Sequence, residues 1–143
     1  MTLPDQAAPV VANPNGLSPP YTVLICDDQP ELRKAISQLL THSSEFVVAG
    51  EACDGPGCLE QVRLIRPDLL ILDVSMPGGG PHVASGARQL NPGMHILVFS
   101  GREDAATSRS MLDAGADQYV LKTGRLKPFF AALDVAHRHL ART

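Results

Sequence analysis

"DLLILDVSMPGGG" (residues 68–80) decides the fold of this chain. Its apolar run carries no polar alternation, so it reads as a strand buried on both faces, the third of the chain (68–73). The run ends on one acid, Asp73, followed by Met76, Pro77 and three glycines that cannot continue a regular element. A buried strand that delivers a carboxylate into an irregular loop places that carboxylate at a sheet edge. Its meaning depends on what the other strands deliver beside it.

Working outward, short apolar runs alternate with longer amphipathic ones. "TVLIC" (22–26) reads as a strand and "PELRKAISQLLTH" (30–42) as a helix with Leu32, Ile36, Leu39 and Leu40 on one face. "FVVAGE" (46–51) is the second strand, and "GCLEQVRLIR" (57–66) the second helix, stopped by Pro67. After the third strand come a weaker helix, "PHVASGARQL" (81–90), and a fourth strand, "MHILVFS" (94–100). Helix "EDAATSRSMLDAG" (103–115), with Gly115 suited to a C-terminal cap, precedes the fifth strand, "DQYVLK" (117–122). The last helix, "LKPFFAALDVAHRHL" (126–140), repeats apolar residues at 126, 130, 133, 137 and 140 if His137 is counted.

Five strand–helix repeats with apolar strands predict an α/β fold: a five-stranded parallel sheet covered by five helices on both faces. Right-handed crossovers and short connections favour the flavodoxin-like doubly wound order 2-1-3-4-5. A closed β/α barrel would need eight strands. The expected organisation is one domain over 21–143 behind a disordered, Pro-rich tail over 1–20, with no output module after the last helix.

Composition narrows the function. The net charge of −3, with 19% charged residues, advertises neither nucleic acid nor membrane binding. No apolar run approaches the roughly 20 residues that span a bilayer, and the N-terminus lacks the features of a signal peptide. Cys26, Cys53 and Cys58 form neither a metal pattern nor a disulfide framework, which points to a reducing cytosol. The five histidines are scattered, and His137 and His139 diverge on a helix, so no shared role is expected of them.

In a sheet of this order, ligands sit at the carboxyl ends of strands 1 and 3. Strand 1 ends in Asp27-Asp28 and strand 3 in Asp73, while strand 4 ends in Ser100 and strand 5 in Lys122. Taken singly, each has a plainer explanation. Asp28 heads a D-x-x-E capping box, and Asp73 could satisfy loop amides. Taken together, they form one acidic crevice. Two carboxylates about 4 Å apart repel by roughly 4 kcal/mol at an effective dielectric near 20. One lysine cannot balance three anions, so either a carboxyl keeps its proton or a hard divalent cation such as Mg2+ sits among them. An FMN phosphate would be repelled there unless a metal intervened, and "GGGPH" is no Walker loop.

"LICDDQP" (24–30), "LILDVSMPGG" (70–79), "VFSG" (98–101) and "DAGADQYVLK" (113–122), in this order, resemble the receiver domain of two-component response regulators. The phrasing is most similar to receivers that precede helix-turn-helix output domains. The resemblance implies that Asp73 is the phosphoacceptor and that Mg2+ is held by Asp28, Asp27 (largely through water), Asp73 and the backbone carbonyl of Ser75. It implies that Lys122 pairs with Asp73 and then with a phosphoryl oxygen, and that Ser100 binds another. Ser100 and Tyr119 would form the switch, biasing a surface of helix 4, strand 5 and helix 5 that also serves a possible homodimer. Gly101 would leave the phosphoryl group accessible, and Arg102 and Ser75 stand where hydrolysis is tuned.

The implied donor is a sensor histidine kinase or a histidine phosphotransfer protein. The protein would catalyse its own phosphorylation and dephosphorylation while acting mainly as a switch on an unknown downstream protein, in the cytoplasm. No nucleic acid contact through this domain and no membrane contact are expected. Two alternatives stay open: a receiver fragment of a DNA-binding transcription regulator, and an interaction module independent of phosphate. "GGGPHVASG" departs from the family's commoner single glycine after Met-Pro, which leaves the start of helix 3 uncertain.

Overall fold

A computed structural model describes residues 18–142. The expected tail therefore lies outside the described residues except for its last three. The elements are β1 (Tyr21–Cys26), α1 (Pro30–Thr41), β2 (Phe46–Ala52), α2 (Gly55–Ile65), β3 (Leu69–Leu72), α3 (Pro81–Leu90), β4 (His95–Ser100), α4 (Ala105–Asp113), β5 (Gln118–Leu121) and α5 (Leu126–Ala141). The strands are all parallel, in the order β2-β1-β3-β4-β5. The flavodoxin-like prediction holds.

Successive residues of a strand point to opposite faces, and here both faces are covered. Leu24, Cys26, Leu70, Leu72, Ile96 and Val98 pack with α2, α3 and α4 through Val62, Val83, Ala87 and Met111. Val23, Ile25, Leu69, Ile71 and Leu97 face the other way, toward Ile36 and Leu40 of α1 and Phe129, Leu133 and Leu140 of α5. That two-sided burial is why the strands read as unbroken apolar runs. It also removes any cheap place for a polar side chain within the sheet, so polar groups gather at the strand ends.

Several boundaries move by a residue or two, each for a local reason. Helix α2 starts at Gly55 rather than 57 because Asp54 is its N-cap, its carboxylate accepting the Gly57 N–H at 2.7 Å, with Pro56 in the first turn. Helix α4 starts at Ala105 rather than 103 because Asp104 is extended and accepts the Thr107 N–H at 3.0 Å. Gly115, at φ +123°, lies just past the end of α4, as a glycine beyond a C-cap should. The capping-box reading of Asp28 is not what α1 uses: Gln29 is the N-cap and makes no side-chain cap bond.

The phase of α5 needs a correction. Of the stripe expected at 126, 130, 133, 137 and 140, only Leu133 and Leu140 are buried. Phe129, Ala132, Leu133, Ala136 and Leu140 are buried, whereas Leu126 and Phe130 are 52% and 42% exposed. His137 lies edge-on to Tyr21 at 5.8 Å between ring centroids, packing at the side of the core. Phe129 and Ala136 take the places expected of Phe130 and His137, because Leu126 and Phe130 lie on the flank of the buried stripe.

Candidate functional site

The site begins one residue beyond the strands. The Asp27 N–H donates to the Ala52 carbonyl (3.1 Å), the Asp73 N–H to the Cys26 carbonyl (2.9 Å) and the Lys122 N–H to the Ser100 carbonyl (2.8 Å). Each functional residue is thus fixed by a last ladder bond, while its side chain clears the apolar layers and opens on the sheet edge. The chain can afford acids here only because the core stops at this line. Asp27 and Asp73 are nonetheless 3% and 4% exposed, and Asp28 faces solvent.

A carboxylate oxygen of each of Asp27, Asp28 and Asp73 lies within 4.8 Å of the others. Lys122 Nζ is 2.7 Å from Asp27 Oδ2 and 3.6 Å from Asp73 Oδ1. The lysine therefore bridges two acids and sits tighter on Asp27 than on Asp73, the partner expected from sequence. Remaining lone pairs are met by backbone: the Gln29 N–H donates to Asp27 Oδ1 (2.9 Å) and the Ser75 N–H to Asp73 Oδ1 (3.2 Å).

Burial pushes the Asp73 carboxyl above its ordinary range; the Ser75 N–H and Lys122 pull it back, and Asp27 and Asp28 push it up again. The pocket is short of positive charge. Its donors are all oxygen, hard, and partly open to water through Asp28, which fits Mg2+ better than a softer transition ion.

Ser100 closes β4 and is fully buried, its Oγ accepting the Arg102 N–H at 3.1 Å. Tyr119, in β5, turns outward, and its hydroxyl donates to the Arg102 carbonyl at 2.7 Å. Two residues singled out from sequence are thus bonded to the two ends of one residue, Arg102. The glycine run also acquires a structural reason. Gly78 is at φ +70°, and a Cβ on Gly79 would approach the carbonyls of Val74 and Met76 at 2.8 and 2.9 Å.

Sequence reasoning missed Arg33. From α1, its Nη1 donates to the Asp27 carbonyl at 2.7 Å and its Nε to Glu51 of β2 at 2.9 Å, so it braces the β1–α1 turn from behind. An arginine on an otherwise polar helix face gives no signal of that reach. Also missed was a pairing of His95 with His139 at 2.6 Å between Nδ1 atoms, at the opposite end of the sheet. His137 and His139 do diverge, as expected; the partner of His139 comes from a distant strand, which spacing along α5 does not show.

Residues 23–134 match the family model of the response regulator receiver domain. The chain belongs to that family. The receiver is 36% identical over 121 residues to the nitrate/nitrite response regulator protein NarL of Escherichia coli strain K12, a match covering 82% of this chain and 55% of that protein. It spans about half the length of the curated relatives it matches. Among solved structures, the receiver domain of the putative response regulator NarL from Mycobacterium tuberculosis superposes with TM-score 0.74 at 32% identity, covering 81% of this chain and 95% of that one. RcsB from Salmonella enterica serovar Typhimurium, bound to promoter rprA in the presence of the phosphomimetic BeF3-, matches with TM-score 0.73 at 26% identity, covering 80% and 66%. No helix among the receiver's described residues is long and apolar enough to cross a membrane.

Proposed function

We propose that this receiver takes a phosphoryl group on Asp73 from a phosphohistidine of a sensor kinase or a histidine phosphotransfer protein, with Mg2+ bound by Asp27, Asp28, Asp73 and the Ser75 carbonyl. The observation that carries the reading is the convergence of three carboxylates and one lysine from three strand ends. An Asp73 oxygen attacks phosphorus in line; the P–N bond breaks, its electron pair returns to the imidazole, and an acyl phosphate forms. Mg2+, when bound, would offset the crowded negative charge and accept phosphoryl oxygens. Lys122 exchanges Asp27 and Asp73 for a phosphoryl oxygen, and the fixed backbone donors hold the nucleophile in place.

The switch reading rests on Arg102. When the Ser100 hydroxyl turns to donate to the phosphoryl group, it gives up the Arg102 N–H. The loop that carries the Arg102 carbonyl is then released, and Tyr119 loses its outward partner. Phosphorylation thereby biases the face of α4, β5 and α5, where Leu112 and Val135 are exposed. An apolar groove of about 540 Å3, lined by Tyr119, Leu121, Pro128, Ala131 and Val135 among others, runs along the same face. This is the surface for a downstream protein or a second copy of the chain. The setting is cytoplasmic, where such kinases present their phosphohistidine.

The reading is tested by incubating the protein with acetyl phosphate and Mg2+ and following intact mass. Wild type gains one phosphoryl group that is stable in acid and lost in base, and neither Asp73→Asn nor chelated protein gains it. Labelling of Asp73→Asn equal to wild type would sink the assignment. A second reading, the receiver portion of a DNA-binding regulator, is favoured by the coverage of only 55% of NarL. The full open reading frame decides it: a stop codon after Thr143 removes that reading, and a helix-turn-helix coding region establishes it.

A further inference from the structure

At the end of the sheet opposite Asp73, three elements bring metal-ligand chemistry to one point. His95 opens β4 and is 2% exposed, Asp117 immediately precedes β5, and His139 lies in the last turn of α5 at the surface. One ring nitrogen from each histidine and one carboxylate oxygen lie within 4.8 Å of one another. His95 Nδ1 is 2.6 Å from His139 Nδ1 and 3.9 Å from Asp117 Oδ2. Ser100 closes the strand that His95 opens, so the acidic pocket is roughly 17 Å away along β4.

We propose that His95, Asp117 and His139 form a second cation site, selective for a borderline transition ion of the Zn2+ class rather than for Mg2+. Two imidazoles with one carboxylate are the donors such ions take, and three protein ligands leave a fourth position for water. The site is independent of phosphate chemistry at Asp73.

The surroundings are those of oriented ligands. Asp117 Oδ2, the oxygen 3.9 Å from His95 Nδ1, is held in position by Arg88 (2.8 Å) and by the Ile96 N–H (2.8 Å). Arg88 is itself anchored on the carbonyls of Gly115, Pro92 and Met94, so its charge is shared rather than aimed at the site alone. On its far side, His95 Nε2 meets the Gln118 amide at 2.8 Å, the outer contact that sets the orientation of a ligating imidazole. Burial, foremost, holds His95 neutral, pushed down to about 4 with Asp117 opposing and His139 and Arg88 assisting, so protons compete weakly with a metal.

Two adjustments are required, and both are small. Tetrahedral ligands on Zn2+ stand about 3.3 Å apart, so the 2.6 Å pair opens and the 3.9 Å pair closes by less than about 1 Å each. His139 supplies that movement from the surface. Coordination at Nδ1 puts the His95 proton on Nε2, so the Gln118 amide turns over and gives up its bond to the Ala132 carbonyl. The His95–His139 and Gln118–Ala132 hydrogen bonds are exchanged for two metal–nitrogen bonds and one metal–oxygen bond. The consequence is mechanical: an ion here clamps the end of α5, a helix of the proposed signalling face, to the start of β4.

The test uses Co2+ as an absorbing probe and Zn2+ by calorimetry, with Mg2+ in excess to occupy the acidic pocket. All proteins carry Cys53→Ser, which removes an exposed thiol from the readout. The expected result is one equivalent of ion with tetrahedral Co2+ absorption. Affinity should fall at least about tenfold in His139→Ala and stay unchanged in His137→Ala. His139 is exposed, so its alanine variant retains the fold, which circular dichroism verifies. No Zn2+ or Co2+ binding, or binding that His139→Ala leaves intact, overturns the proposal.

Discussion

Asp73 is costly to keep where it is. Its folded-state proton affinity is raised, chiefly by burial, so the unfolded chain gives up that proton at lower pH than the folded one. Stability from this group is therefore full below the ordinary carboxylate range. It is lost as pH rises through the folded value, and the deficit persists at neutral pH. Asp73→Asn removes the deficit: in metal-free solution at pH 7 the variant should melt higher than wild type. The gap should close in acid and with saturating Mg2+. Thermal melts at three conditions check this, and equal melting temperatures at pH 7 without metal would show that the pocket is not electrostatically strained.

At the scale of elements, the acceptor loop is positioned by a helix that carries none of its chemistry. The first residue of α2, Gly55, donates its N–H to the Pro77 carbonyl at 2.8 Å, and a Cβ there would fall 1.9 Å from the Gly78 carbonyl. Gly55→Ala must push α2 away from the β3–α3 loop, at a cost of about 1–3 kcal/mol in urea unfolding. It should also slow phosphorylation from acetyl phosphate although every acidic residue remains. Stability within about 0.5 kcal/mol of wild type would mean that the loop yields freely.

The same scale shows what the sequence could and could not reveal. Strands β1 and β3 were legible, and so was the meeting of Asp27, Asp28 and Asp73, because an acid that ends an apolar run can only lie at the sheet edge. The phase of α5 was not, since Leu126 and Phe130 are apolar on one flank of the buried stripe and Val135 on the other. Arg33 and the His95–His139 pair were invisible because their bonds join residues from separate elements, and spacing within a helix carries no trace of them.

For the whole molecule, the exposed Val135 beside β5 matters more than the misread phase. Val135, exposed on α5 and lining the groove at β5, leaves apolar surface open on this face. Val135 is 39% exposed and lines the groove, so Val135→Glu should leave stability within about 0.5 kcal/mol of wild type and phosphorylation unaltered. It should, however, prevent the self-association that the proposed switch predicts for wild type with Mg2+ and beryllofluoride. Light scattering after gel filtration reads the difference, and a variant that associates like wild type would move the interface elsewhere.

The central claim is that three acids tolerate one another because a divalent ion and Lys122 neutralise them, leaving one Asp73 oxygen free to take phosphorus. A crystal structure with Mg2+ and beryllofluoride tests it most directly. The account predicts beryllium on an Asp73 oxygen, Mg2+ touching Asp28 and the Ser75 carbonyl, and Lys122 Nζ moved from Asp27 to a fluorine with Ser100 Oγ on another. Beryllofluoride on a different carboxylate, or a pocket that binds neither ion while Lys122 stays on Asp27, would contradict it.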